Sequence, residues 1–223
     1  MDTLAPAWFV TGTDTEIGKT LAACTLLHAL RAKFPRVVGA KPVAAGHPPG
    51  GVNDDVVRLR AASTVQVPGE LDNPYHLAEP VSPHLAAQGA GVRIDLAHIA
   101  QSVADLRRSA DAVVVEGVGG FLVPLSSIED GGDLARELRL PVILVVGIKL
   151  GCLSHALLTQ EAIFARGLPF AGWIANRIDA DMRRAEDNIA TLRARLRAPC
   201  LGVIPHMTPP ESARAAAFLQ LPT

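Results

Sequence analysis

A lysine and a threonine follow a glycine in Thr11-Gly12-Thr13-Asp14-Thr15-Glu16-Ile17-Gly18-Lys19-Thr20, behind the apolar run Trp8–Thr11 and ahead of a helical pattern. This order suits a phosphate-binding loop. Backbone N–H groups and the positive end of the following helix cradle phosphates, Lys19 reaches the outer ones and the Thr20 hydroxyl ligates a divalent cation. The usual spacing puts the first glycine at Thr13, whereas here it is Gly12. The strand-before, helix-after context therefore carries the assignment.

Three further places could serve the same chemistry. The run Ala112–Val115 ends in Glu116-Gly117-Val118-Gly119-Gly120, where a strand-end carboxylate can ligate a hard cation and the glycines let the backbone approach a nucleotide. Asn53-Asp54-Asp55 offers a second carboxylate ahead of a short helix, and residue types alone do not choose between Asp54 and Asp55, either of which could instead be a helix cap. Lys41 follows the run Val37–Ala40, as a strand-end cation at the mouth of a sheet. No serine or cysteine has an evident histidine-assisted arrangement of the kind covalent catalysis uses.

The elements that must position these residues alternate. Apolar runs at Trp8–Thr11, Val37–Ala40, Ala112–Val115, Val142–Val146, Ala171–Ala175 and Leu201–Ile204 are uninterrupted, as expected of strands buried on both faces. Helical patterns lie around Thr20–Lys33, Asp95–Arg108, His155–Arg166 and Asp181–Arg197. The alternation predicts right-handed βαβ units and a doubly wound, mainly parallel sheet flanked by helices, with ligands beyond the carboxyl ends of the strands. Gly46–Gly91, rich in Pro and Gly, reads as long active-site loops with short helices. With 223 residues, 49% of them hydrophobic, a single α/β domain over 1–223 is expected.

Composition narrows the partners. A net charge of −1 gives no electrostatic reason to bind nucleic acid or an acidic membrane. No apolar stretch is long enough to span a bilayer, and the start of the chain lacks the order of a signal peptide. Cys24, Cys152 and Cys200 are odd in number and far apart, which fits a reducing cytoplasm rather than a disulfide framework.

The phosphate loop, Lys41-Pro42-Val43-Ala44, Asn73-Pro74-Tyr75, Glu79-Pro80-Val81-Ser82-Pro83-His84, Val115-Glu116-Gly117-Val118-Gly119-Gly120 and Pro141–Cys152 occur in this order. Together they closely resemble the dethiobiotin synthetases, from the first strand to about Pro205. The resemblance implies a P-loop fold and a homodimeric, Mg²⁺- and ATP-dependent ligase that makes dethiobiotin from 7,8-diaminopelargonate and CO₂ in biotin synthesis. It implies metal ligation by Thr20, Asp55 and Glu116, choosing Asp55 over Asp54 by position, and catalysis by Lys19 and Lys41. Nucleotide contacts implied are Glu16, Ile17, Gly18, Lys19, Thr20, Leu21, Asp55, Glu116, Gly117, Val118, Gly119, Asn176 at the base, Arg177, Pro205, His206, Met207 and Glu211. Substrate contacts implied are Thr15, Lys41 and Ala45, with Leu150, Gly151, Cys152 and Leu153 coming from the other subunit, so that the active site lies at the subunit interface.

Two positions depart from the pattern. Ala45 stands where a hydroxyl residue is usual, and Arg177 replaces a common acidic residue after the base-reading asparagine. Competing readings are a nucleotide-switched partition or positioning ATPase and a related ligase with another substrate. Many switch ATPases carry a lysine where this chain has Asp14, and membrane-bound ones add a basic C-terminal helix, whereas Glu211–Leu219 has only Arg214 as a basic residue.

Overall fold

Short runs of valine, isoleucine and leucine with no polar alternation leave a strand no solvent face, so helices must cover both sides of the sheet they build. The computed structural model describes residues 4–222. In chain order the elements are β1 (Ala7–Gly12), α1 (Lys19–Leu30), β2 (Val37–Ala40), β3 (Val43–Ala45), α2 (Asp54–Ala62), α3 (Gly69–Asp72), β4 (Tyr75–Leu77), α4 (Pro83–Gly89) and α5 (Leu96–Ser109). They continue with β5 (Ala112–Glu116), α6 (Gly131–Leu138), β6 (Val142–Gly147), α7 (Cys152–Ala165), β7 (Phe170–Asn176), α8 (Ala185–Arg195), β8 (Cys200–Ile204) and α9 (Ser212–Ala215).

Six strands form one sheet in the order β2-β5-β1-β6-β7-β8, and every pairing is parallel. The doubly wound arrangement expected from the alternation is present. Successive residues of β1 face opposite layers. Trp8 and Val10 pack in the cluster that holds Leu26 and Leu27 of α1, Leu59 of α2 and Ala215 of α9. Phe9 packs in the opposite cluster with Ile99, Val103 and Leu106 of α5 and Leu134 of α6. A third cluster seats Ala156 of α7 and Ile189 and Leu192 of α8 against Leu144 and Trp173.

Several helix ends differ from the sequence pattern, each for a local reason. α1 stops at Leu30 rather than Lys33 because the chain tightens there, the N–H groups of Ala32 and Lys33 donating three residues back to Ala29 and Leu30. α5 begins one residue late because Asp95 is its N-cap, accepting from the N–H groups of Ala97 and His98. α7 starts at Cys152, three residues earlier than expected, from a left-handed Gly151. α8 is shorter than its pattern because Arg184 is left-handed and Leu196 extended.

The Pro- and Gly-rich segment contains more order than expected. β3 and β4 form a separate two-stranded parallel sheet against which α4 packs, while α2 lies on α1 and β2, and α3 on α5 and β2. α6, which is not among the helical patterns named from the sequence, turns Leu134, Ala135 and Leu138 inward and is fixed by a capping box between Asp130 and Asp133.

Candidate active site

β1 runs into the phosphate loop, and the loop is shaped by what two of its glycines touch. A Cβ on Gly12 would lie 2.8 Å from Ile17 Cδ1 and 3.0 Å from Lys19 Cδ, so the one-residue displacement of this glycine still leaves it where the loop folds over itself. Gly18 has φ +83°, and a Cβ there would lie 2.1 Å from Asn176 Nδ2. Asn176 ends β7 and donates from Nδ2 to the Ile17 carbonyl across 2.9 Å, which pins the loop to the neighbouring wing of the sheet. Lys19 Nζ donates to the Asp14 carbonyl at 2.8 Å. Burial draws the Lys19 ammonium down to about 8, against the charge of Glu116 and with that of Lys41.

Beside the loop, β5 presents Glu116, which is fully buried. Thr20 Oγ1 donates to Glu116 Oε1 at 2.8 Å, and Lys41 Nζ donates to the same oxygen at 2.8 Å and to Asp55 Oδ2 at 2.5 Å. Burial alone would lower the Lys41 pKa, but the charges of Glu116 and Asp55 outweigh it and raise the value. Asp55 is held below the carboxylate range although burial opposes this, because Lys41 favours its ionised form.

Asp55 sits in the first turn of α2. The helix cap is Asn53 rather than either aspartate: its side chain accepts from the Asp55 N–H at 3.0 Å and donates to the carbonyls of Gly46 and Ala45. Asp54 is exposed while Asp55 turns to Lys41.

Glu116 Oε2 is buried and has no hydrogen-bond partner among the described residues. An orphaned carboxylate oxygen beside Thr20 and Asp55 is costly unless a cation or its water completes it, and hydroxyl and carboxylate oxygens are the donors Mg²⁺ prefers. The residues present fit that ion.

A cleft of about 820 Å³ opens over this cluster. Of the expected residues, Thr15, Glu16, Gly18, Lys19, Thr20, Leu21, Lys41, Ala45, Asp55, Glu116, Val118, Gly119, Asn176, Arg177, Pro205, His206 and Met207 line it. Seven expected residues stand otherwise. Ile17 is fully buried, and Gly117 packs on β1, where a Cβ would meet Phe9 Cζ at 2.9 Å; neither lines the cleft. Glu211 is the N-cap of α9 and lies outside the lining, next to Pro210, which belongs to it. Cys152 is buried at the start of α7, and Leu150 is 93% exposed. The segment Leu150, Gly151, Cys152 and Leu153 takes no part in the cleft of its own chain. It is tied to the phosphate loop through Lys149, whose Nζ lies 3.1 Å from Asp14 Oδ2.

Asn53, Arg58 and Val81 to Pro83 line the cleft without having been expected there. The Asn-Asp-Asp run carries a cap signature that would have found Asn53, whereas Arg58 and the proline-rich turn gain their place only through the packing of α2 and α4.

The family model described as AAA domain matches residues 7–214. Relatives named ATP-dependent dethiobiotin synthetase BioD include that of Aromatoleum aromaticum, 57% identical over 97% of each chain. That of Janthinobacterium sp. is 55% identical over 95% of this chain and 92% of the relative, and that of Xanthomonas oryzae pv. oryzae is 52% identical over 97% and 98%. The chain belongs to the dethiobiotin synthetase family.

Among solved structures, a ParA family ATPase from Chlorobium tepidum superposes with a TM-score of 0.58 at 16% identity, over 96% of this chain and 89% of that one. The MinC:MinD cell division complex of Aquifex aeolicus gives 0.57 at 17%, over 95% and 86%. These likenesses establish the P-loop fold that dethiobiotin synthetases share with partition ATPases and go no further. The two departures from the dethiobiotin synthetase pattern are both at the cleft. Ala45 offers its methyl there, and the Arg177 guanidinium pairs with Glu186 of α8 at 2.9 Å.

Proposed function

We propose that this single P-loop domain is an ATP-dependent cyclo-ligase that makes dethiobiotin from 7,8-diaminopelargonate and CO₂, with ADP and phosphate as the other products. The observation that carries the reading is the convergence of Thr20, Lys41, Asp55 and Glu116 beside the phosphate loop in a chain of this family. One substrate amine adds to CO₂ and loses a proton, giving a carbamate. A carbamate oxygen attacks the γ-phosphorus, and the bond to ADP breaks. The second amine then attacks the carbonyl of the resulting carbamic–phosphoric anhydride, closing the ring and expelling phosphate with loss of a proton.

The chain's own residues position reactants and balance charge. Lys19 sits over the outer phosphates, whose charge favours its ammonium against the burial that opposes it. Lys41 faces the carbamate and the transferring phosphoryl group, so it acts where negative charge shifts during transfer. Thr20, Asp55 and Glu116 would hold Mg²⁺, which neutralises triphosphate charge when bound. The Asn176 amide nitrogen is committed to the Ile17 carbonyl, which leaves its carbonyl oxygen for the base.

The exposed Leu150, with Ile128 at 84% and Leu158 at 66% exposure, supports a homodimer in which Leu150 to Leu153 of each subunit serve the substrate of the other. A cytoplasmic location is supported by three cysteines that are all free among the described residues.

Purified protein incubated with 7,8-diaminopelargonate, bicarbonate and MgATP should release dethiobiotin and ADP in equal amounts, read by mass spectrometry and a coupled ADP assay. ATP turnover that ignores the diamine and responds to DNA or lipid would favour the partition ATPase instead.

A further inference from the structure

Lys41 lies just beyond the end of β2 at Ala40, so its peptide has left the ladder of the six-stranded sheet, and Pro42 after it has no N–H to pair. The chain nevertheless holds Lys41 at both main-chain groups. Its N–H donates to the Asp72 carbonyl at 2.8 Å, and its own carbonyl accepts from Asn73 Nδ2 at 2.7 Å. Asp72 and Asn73 are 2% and 7% exposed. Just beyond, Tyr75 N donates to the Pro42 carbonyl and opens the β3–β4 sheet.

The Asp72 side chain extends this anchor. Its two oxygens accept from Arg60 Nε at 2.7 Å and from an Arg60 terminal nitrogen at 2.6 Å, a bidentate pair of the geometrically demanding kind. Arg60 stands in the last turn of α2, and Asp55 in the first turn of the same helix touches Lys41 Nζ. Main chain and side chain of Lys41 are thus fixed to one another through a closed circuit: Asn73 and Asp72, Arg60, the body of α2, and Asp55.

We propose that Asn73 is a positioning residue for the reaction, acting through the Lys41 main chain to set where the Lys41 ammonium meets substrate. The inference rests on the reading that Lys41 serves the chemistry. A lysine places its charge at the end of a flexible four-carbon stem, so the stem's origin must be held if the charge is to be held. An asparagine suits the position because its amide donates to the Lys41 carbonyl, whereas an aspartate carboxylate of the same shape would oppose that carbonyl with a second acceptor.

Steady-state kinetics of the full-length Asn73→Ala, Asn73→Asp and Lys41→Met variants, and of Asn73→Ala combined with Lys41→Met, test the role, with ATP affinity measured separately by titration. A misplacement of about 1 Å at a reacting group costs on the order of 100-fold, so kcat should fall about 10- to 100-fold in both Asn73 variants while the ATP Kd stays within about threefold. Added to Lys41→Met, Asn73→Ala should cost less than about threefold more, because its effect passes through the ammonium already removed. Unchanged kcat in the Asn73 variants overturns the proposal, as does a full multiplication of losses in the double variant. Loss of ATP affinity in step with kcat in both Asn73 variants also overturns it, since that is the signature of general unfolding. If Lys41→Met alone leaves kcat intact, the reading of Lys41 fails first, visibly apart from any result at Asn73, and the inference falls with it.

Discussion

The ammonium of Lys41 donates to Asp55 Oδ2 across 2.5 Å while sharing Glu116 Oε1 with the Thr20 hydroxyl. A cation between two carboxylates is electrostatically secured, so its contribution is charge placement rather than proton transfer. Lys41→Gln keeps a hydrogen-bond donor, one bond nearer the main chain, and removes the charge. We expect its turnover to fall at least about 100-fold with ATP affinity changed only a few-fold. Parallel losses in kcat and in ATP affinity, from single-turnover and binding measurements, would reduce Lys41 to a nucleotide-binding cation.

The same geometry sets a competition. Lys41 and a divalent cation draw on the same two carboxylates, so removing the ammonium should strengthen cation binding. Nucleotide-free Lys41→Met is expected to bind Mn²⁺ at least about tenfold more tightly than the parent, as seen by electron paramagnetic resonance titration. Without Mn²⁺ the variant keeps buried carboxylate charge with no ammonium beside it, a change that costs on the order of 3–5 kcal/mol. Its melting temperature should therefore drop and be recovered by Mn²⁺. Equal Mn²⁺ affinity in the two proteins would count against Asp55 and Glu116 as ligands.

How far the site could be read in advance depends on how local its causes are. Lys19 and Thr20 follow β1 in a phosphate-loop motif and Glu116 ends β5, and a parallel sheet sends these strand ends to one edge, whereas Asn176 at the end of β7 is reached only through the family resemblance. Residue types leave Asp54 and Asp55 equivalent, and the one that meets Lys41 is the one whose N–H the Asn53 cap holds, while Asp54 is exposed. The tie from Lys41 to Asn73 joins two segments through a β3–β4 sheet of three-residue strands, too short to show any period. α6 is different: the helical spacing of Leu134, Ala135 and Leu138 and its capping box were both legible, in a run only eight residues long that opens with two glycines.

Gly18 has a positive φ and no room for a side chain. In Gly18→Ala the new methyl must displace Asn176 Nδ2, 2.1 Å from the ideal Cβ, and adopt a left-handed conformation that costs an L-residue roughly 1–2 kcal/mol. The displaced amide would also release the Ile17 carbonyl. ATP binding, measured by calorimetry, should weaken at least about tenfold. A variant that binds ATP normally would show that the loop tolerates losing its contact with β7.

Cys24, buried on α1, has its thiol pushed up to about 12 by burial, from an ordinary value of 9.0. A raised folded pKa means that the unfolded chain loses its proton first as pH climbs. The contribution is fully present below about pH 9 and is lost on the way to pH 12. Cys24→Ala should therefore show a shallower loss of stability than the parent between those limits, in urea melts taken at stepped pH. Identical slopes would mean that the thiol ionises as freely in the fold as out of it.

Strand β1 stands in the middle of the sheet, with β5 and β2 to one side and β6, β7 and β8 to the other. Lys41, Asp55 and Glu116 all come from the first wing, while Asn176, Arg177 and Pro205 to Met207 come from the second. The cleft is thus walled from both wings, and the Asn176 amide, donating to the Ile17 carbonyl of the loop that β1 feeds, is a tie between them.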